Sequence, residues 1–250
     1  LTSRLQFLCG LAFPPAAAQY EAEYEDDGIR QAVARISWFE GEVSFNRGDD
    51  PDDWQLASVN YPVTVGDRLW ASSNARLELQ LPGATLYLGP ESELGALDLT
   101  RDARQLSLSL GTVTLRIRRL DRDEAFELAT PNVSVTFVTP GVYRIDVDED
   151  GNTRASVYSG RAWAAAAGGQ VGLQAGDQIR VWGLDRPDYD VVGLSRSDSW
   201  DRWVDNRARR LRTVRPTSYV HPDIYGAEEL DAYGSWQNVP EYGPVWFPAV

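Results

Sequence analysis

Lysine and methionine are absent from the 250 residues, and cysteine and histidine occur once each, as Cys9 and His221. One Cys allows no disulfide within the chain, and one Cys with one His makes no Cys/His cluster for structural zinc. The 24 basic residues are all Arg, and 37 Asp and Glu outnumber them, for a net charge of −13. That balance argues against a general nucleic-acid binder, whose phosphate affinity comes from basic side chains that release counterions. No apolar run reaches the roughly 20 residues that a membrane-spanning helix needs. A phosphate-cradling glycine loop is missing, and so is the strained Gly-x-Ser-x-Gly turn of a serine nucleophile. What is plentiful is aromatic: nine Trp, eleven Tyr and seven Phe in a chain that is 43% hydrophobic. Such a composition folds, as one large domain or two small ones.

The absence of Met at position 1 predicts that the chain begins after its initiator. Residues 1–18 carry Arg4, a short apolar run from Leu5 to Phe13, and an Ala-rich end at Ala16–Ala18. This is the pattern of a secretory signal, with Cys9 an apolar member of it, and it predicts export to the periplasm or the exterior. Residues 19–31, with Glu21, Glu23, Glu25, Asp26 and Asp27, read as an acidic leader.

From residue 32 to 183 the pattern is one of short strands. Arg76-Leu-Glu-Leu-Gln-Leu81 alternates polar and apolar residues, Pro82-Gly83 turns the chain, and Ala84–Leu88 follows. Leu106–Leu110 and Thr112–Arg118 alternate likewise. A period of two predicts one buried and one wet face per strand, and repeated short strands predict an antiparallel all-β sandwich or roll. No helical run long enough for a parallel crossover interrupts them. Residues 195–213 place Trp200, Trp203, Val204, Ala208 and Leu211 at helical spacing, with Asp198 or Ser197 available as N-cap. Residues 214–250 read as an irregular Trp/Tyr-rich tail dense in Gly and Pro.

A series of landmarks in order resembles the FecR domain. These are Gly41-Glu42-Val43, Trp54-Gln55-Leu56, Val65-Gly66-Asp67-Arg68-Leu69, Ala75-Arg76-Leu77-Glu78-Leu79, Leu110-Gly111-Thr112-Val113, Ala129-Thr130-Pro131, Val157–Ala162 and Leu173–Gln178. Thr139-Pro140-Gly141-Val142 departs from the family's usual Gly-Thr pair. The helix and aromatic tail look like exported bacterial proteins that join such a domain to Trp/Tyr-rich repeats. The resemblance implies an all-β binding or scaffold protein, in a family named after a periplasmic regulator of iron-citrate uptake.

The candidate sites follow from chemistry. Tyr233, Trp236, Tyr242 and Trp246 sit among Gly and Pro, where rings are either displayed to stack on a partner or folded back as a strap over the sheet. Asp146, Asp148 and Asp150 with Gly151 match the opening of a calcium loop, but its twelfth position is Val157 where Glu is needed, so a hairpin turning at Asp150-Gly151 is the expectation. Asp49, Asp50, Asp52 and Asp53 read as a solvated turn, and Arg47-Gly48-Asp49 as a chance match to an adhesion tripeptide. His221, followed by Pro222, reads as a loop residue and not a catalyst. The expected function is therefore non-catalytic: binding or envelope scaffolding without a cofactor. The expected partner is an envelope or extracellular protein, with a second copy of the chain and a polysaccharide as alternatives, and a hydrolase a distant third.

Overall fold

The computed structural model describes residues 32–48, 50, 52–100, 102–166, 169–213, 219–220, 225–226 and 230–249. The signal-like segment 1–18, the leader, Asp49 and His221 lie outside the described residues. In chain order the strands are β1 (Ala34–Glu40), β2 (Val43–Asn46), β3 (Trp54–Leu56), β4 (Pro62–Val63), β5 (Arg68–Ala71), β6 (Arg76–Leu81), β7 (Ala84–Leu88) and β8 (Ser92–Leu99). Then come β9 (Ala103–Ile117), β10 (Ala125–Ala129), β11 (Ser134–Phe137), β12 (Gly141–Val147) and β13 (Thr153–Ser159). The last of the domain are β14 (Arg161–Ala166), β15 (Gly169–Gln174), β16 (Asp177–Trp182) and β17 (Asp188–Gly193). Helix α1 (Ser199–Thr213), the single turn α2 (Leu230–Tyr233) and the strands β18 (Gly234–Val239) and β19 (Gly243–Pro248) follow.

The strands form two ladders that share β9. One runs β4-β1-β6-β7-β9-β12-β13-β16-β17, and the other β3-β2-β5-β8-β9-β10-β11-β14-β15. The two alternating runs on either side of Gly111 are thus one strand of 15 residues. Its first half pairs with β8, and from Gly111 onward it pairs with β12. Gly111 is the pivot: its φ is +94°, and a Cβ there would stand 2.5 Å from Ser92 Cα. Only glycine takes that backbone without strain or overlap.

The exception to antiparallel pairing follows from the same pivot. The chain leaves β9 in one sheet and returns through residues 118–124 to the other, beside the start of β9 and in the same direction. Ala103 to Ser107 therefore pair in parallel with Ala125 to Ala129, with no helix in the connection. Buried Arg104 and Glu124 form an ion pair at this return, and Arg104 lies over the Phe126 ring at 5.2 Å.

The core fills the space between the ladders. Phe126 meets Phe137 edge-on at 5.4 Å, and Phe137 meets Tyr143 of the facing sheet at 4.7 Å. Burial of this kind contributes about 25 cal/mol per Å² of apolar surface and is the main force holding the sheets together. The expected wet faces of β6 and β7 are not wet: Glu78 and Gln80 are 1% and 2% exposed and every β7 residue is buried. Glu78 and Tyr87 lie beneath α1, and the side chains of Arg35 and Arg118 bond to Gln80 and Thr85.

The tail also differs from the irregular segment expected. Its Gly and Pro residues conceal a hairpin in which Gly234 pairs with Pro248, Trp236 with Trp246, and Asn238 with Pro244. Pro is tolerated because a two-stranded ribbon has only edge strands, so a missing N–H can face outward.

Candidate binding site

Three features of the sequence dock α1. Asp198 caps it: its Oδ1 accepts from Asp201 N–H, and Asp201 Oδ2 accepts from Asp198 N–H, both at 3.0 Å. This reciprocal box satisfies two of the donors that a helix start leaves open. The apolar face of Val204 and Ala208 packs on Tyr87, with Trp200 and Trp203 stacked at 5.0 Å beside it. The third feature is charge. Arg207 does more than complement the helix dipole, since its Nε donates to Glu78 Oε2 at 2.8 Å while its guanidinium lies 4.1 Å above the Trp38 ring.

Trp38 reaches that position through a bulge. Ile36 pairs with Leu79 and Trp38 with Glu78, which leaves Ser37 as the extra residue. Without it, Trp38 would point into the core; with it, Trp38 joins Glu78 on the outer face. Ser37 Oγ completes the arrangement by donating to Glu78 Oε1 at 2.6 Å.

At the helix start, Arg144 Nη1 donates to Asp198 Oδ2 at 2.8 Å and to Asp201 Oδ1 at 3.1 Å, and its Nε to Asp146 Oδ1 at 2.9 Å. Tyr158 Oη donates to Asp201 Oδ1 at 2.9 Å. Burial, and then that bond, push the Tyr158 hydroxyl well above its ordinary range. For Asp198, desolvation acts to raise the pKa, but the Asp201 N–H and the Arg144 guanidinium outweigh it and hold the carboxyl below its ordinary 3.8. A lowered folded-state pKa means that the contact stabilises the fold above pH 3.8 and loses that contribution as pH falls through the lower value. Acid titration below pH 4, followed by Trp fluorescence, is therefore expected to loosen α1, whereas Asp198→Asn removes this part of the acid dependence.

The calcium candidates are not brought to a common point. Asp146 is engaged by Arg144, by Arg154 Nε at 3.2 Å and by Thr112 Oγ1 at 2.8 Å. Asp148 instead closes the β12–β13 turn, accepting the N–H groups of Asp150 at 3.0 Å and Asn152 at 2.9 Å. Desolvation opposes ionisation at Asp148, yet the bonds from Asn152 and Asp150 keep its pKa low. Among the described residues no group of three or more His, Cys, Asp or Glu is placed to hold a metal ion.

The four tail aromatics divide into a central pair and two ends. Trp236 and Trp246 are cross-strand partners on one face of the hairpin and are half-buried. Tyr219, which sequence reasoning did not single out, packs on Trp236 at 5.2 Å. Trp246 Nε1 donates to Leu230 O at 3.1 Å, and its ring lies against Gly234, where a Cβ would approach it to 2.5 Å. Tyr233 begins the hairpin and Tyr242 sits in its turn, 67% and 76% exposed. Six residues of strand separate them, about 20 Å. Phe247, also missed, is 40% exposed on the face opposite the Trp pair. The contacts described for these rings lie within the tail itself. The tie to the sandwich comes earlier, where Tyr225 Oη donates to Val33 O and Gly226 lies near the Arg35 guanidinium.

From the turn before β5 to the middle of β14, residues 67–163 match the family described as FecR protein. The likeness to FecR is confined to those residues. This stretch includes the Gly111 pivot, the parallel return and the buried partners of α1, Glu78 and Arg144. The helix and the aromatic hairpin lie beyond it. No curated protein matches the chain. Among solved structures, two crystal structures of a "putative anti-sigma factor" from Parabacteroides distasonis are similar to it, at 2.50 Å and 1.65 Å resolution. Their TM-scores are 0.47 and 0.48 at 15% and 12% identity, over 73% of this chain and 99% of each of theirs. Among the described residues of the chain, no helix is long and apolar enough to cross a membrane.

Proposed function

We propose that the chain is an exported, non-catalytic protein-interaction module in which the FecR segment is the rigid support and the aromatic hairpin the binding element. The observation that carries this reading is the division of labour in the hairpin. Trp236 and Trp246, with Tyr219, hold the ribbon together, and Tyr233, Tyr242 and Phe247 are left facing solvent. Exposed aromatics on a small rigid element have the character of interface anchors, because they offer large contact area and lose little rotamer freedom. The charged side chains on the covered sheet face, by contrast, are spent on α1, where they hold structure. Export is supported by the pattern of residues 1–18.

The test is paired capture from a native envelope extract, using the wild-type chain and a Tyr233→Ser/Tyr242→Ser variant as bait. The wild type is expected to retain a discrete protein that the variant loses, with unchanged melting temperatures. Retention of polysaccharide alone would replace this reading with glycan binding. Equal retention by both baits would remove the hairpin from the account.

A further inference from the structure

Arginine in this chain sits where a ring and a carboxylate come together. Among the described residues Arg47, Arg68, Arg76, Arg104 and Arg207 lie over aromatic rings, and each of them also pairs with an Asp or Glu. Under α1, Arg207 combines Trp38 with Glu78 in this way. Nearer the surface, Arg76 lies 5.1 Å from the Trp203 ring centre, with its Nη1 3.0 Å from Glu40 Oε1. Arg47 lies 5.0 Å from the Tyr61 ring centre and 2.9 Å from Asp67. The chemistry is the same each time. The negative face of the ring attracts the cation, the planar guanidinium stacks on it, and the carboxylate accepts from the N–H groups at its edge.

The tail holds this pair of groups without the arginine. Residues 216–250 contain Asp223, Glu228, Glu229, Asp231 and Glu241 but no Arg. In the β18–β19 turn Glu241 stands next to Tyr242, and both are exposed. At the other end of the hairpin, Tyr233 follows Asp231 by two residues. Among the described residues no arginine lies over a ring of the hairpin and none pairs with Glu241.

We infer that the partner of the hairpin is a basic protein segment, and that Glu241 and Tyr242 together hold one of its arginines. The inference rests on the hairpin being the binding element and adds the chemistry of what it binds. Charge selects that occupant. A net charge of −13, with five carboxylates and no Arg in the tail, draws in a basic segment and repels an acidic one. A neutral polysaccharide would use the rings but leave Glu241 without a role. An exposed ion pair contributes little alone, and the ring beside it adds a comparable amount, so the contact is modest and sensitive to salt.

Calorimetry of the full chain with acetylated hexa-arginine tests this without the captured partner, and hexa-citrulline serves as the uncharged isostere. At low salt hexa-arginine is expected to bind and hexa-citrulline to fail. Glu241→Gln and Tyr242→Ser are each expected to weaken binding about threefold, whereas Tyr242→Phe, which keeps the ring face, should bind as wild type does. The general pull of an acidic chain on a cationic peptide is read from Glu149→Gln, which removes one exposed charge in the β12–β13 turn. That variant should leave the affinity nearly unchanged. Equal weakening by Glu149→Gln and Glu241→Gln, or equal binding of the two peptides, overturns the inference. The two readings also fail separately. A captured protein that the Tyr233→Ser/Tyr242→Ser bait loses, but that withstands Glu241→Gln and about 0.5 M salt, keeps the hairpin as binding element and overturns the arginine. Equal capture by both baits removes the binding element itself, and with it the partner described here.

Discussion

Replacing Arg207 with alanine is expected to lower the unfolding free energy by about 3–5 kcal/mol, the usual cost of stripping one partner from a buried ion pair. Glu78 is the reason. Its side chain is 1% exposed, and Arg207 is the cation paired with it beneath α1. With Arg207 gone, Ser37 still donates one hydrogen bond, but the buried carboxyl group is left without its cation. The chain can respond by lifting the end of α1, which also uncovers Trp38 and Trp203. Urea unfolding measures the loss, and a red shift of Trp emission at low urea reports the lifting. The double change Glu78→Leu/Arg207→Leu is expected to recover most of the stability, because removing both charges removes the desolvation cost with the attraction. A single Arg207→Ala loss below 1 kcal/mol would mean that α1 rests on its apolar stripe alone.

The second large effect lies at the other end of the same helix. Arg144→Ala should cost about 3 kcal/mol or more, since it leaves Asp146 and Asp201 facing one another with little solvent. Their side chains are 14% and 10% exposed, and Asp198 beside them is 49% exposed. The more exposed Asp198 contributes least, because solvent screens it. Removing the facing charges as well, in Arg144→Ala/Asp146→Asn/Asp201→Asn, should recover part of the loss, which separates lost electrostatics from lost packing. Urea unfolding of the two variants reads it directly. A triple variant no more stable than Arg144→Ala would assign the role of Arg144 to packing.

How far the sequence carried can be judged from these same residues. The hairpins at Pro82-Gly83 and Asp150-Gly151 were legible because turn chemistry and alternation are local. The helix was legible for the same reason, with Asp198 one of two candidates for its cap. Alternation also named the outward residues of β6, Arg76, Glu78 and Gln80, but not that a helix packs on Arg76 and Glu78, because period two reports which face is apolar and not what lies on the other. The bulge at Ser37 was hidden, since it depends on how Glu78 across the ladder is satisfied. The parallel return beside β9 was hidden too, because it is set by one glycine bending a long strand between sheets. In the tail, Gly and Pro masked a ribbon that needs them: Gly234 gives Trp246 a flat seat, and Pro244 and Pro248 occupy edge positions. Aromatic content marked the right segment but could not separate Trp236 and Trp246, which hold the hairpin, from Tyr233 and Tyr242, which it displays.

That separation is the central claim, and a titration of the captured partner tests it most directly. Calorimetry should show Tyr233→Ser/Tyr242→Ser weakening binding by about 2–4 kcal/mol, the range of interface anchors, while the hairpin keeps its fold. Unchanged affinity in that variant, with binding abolished by changes elsewhere on the sandwich, would contradict it.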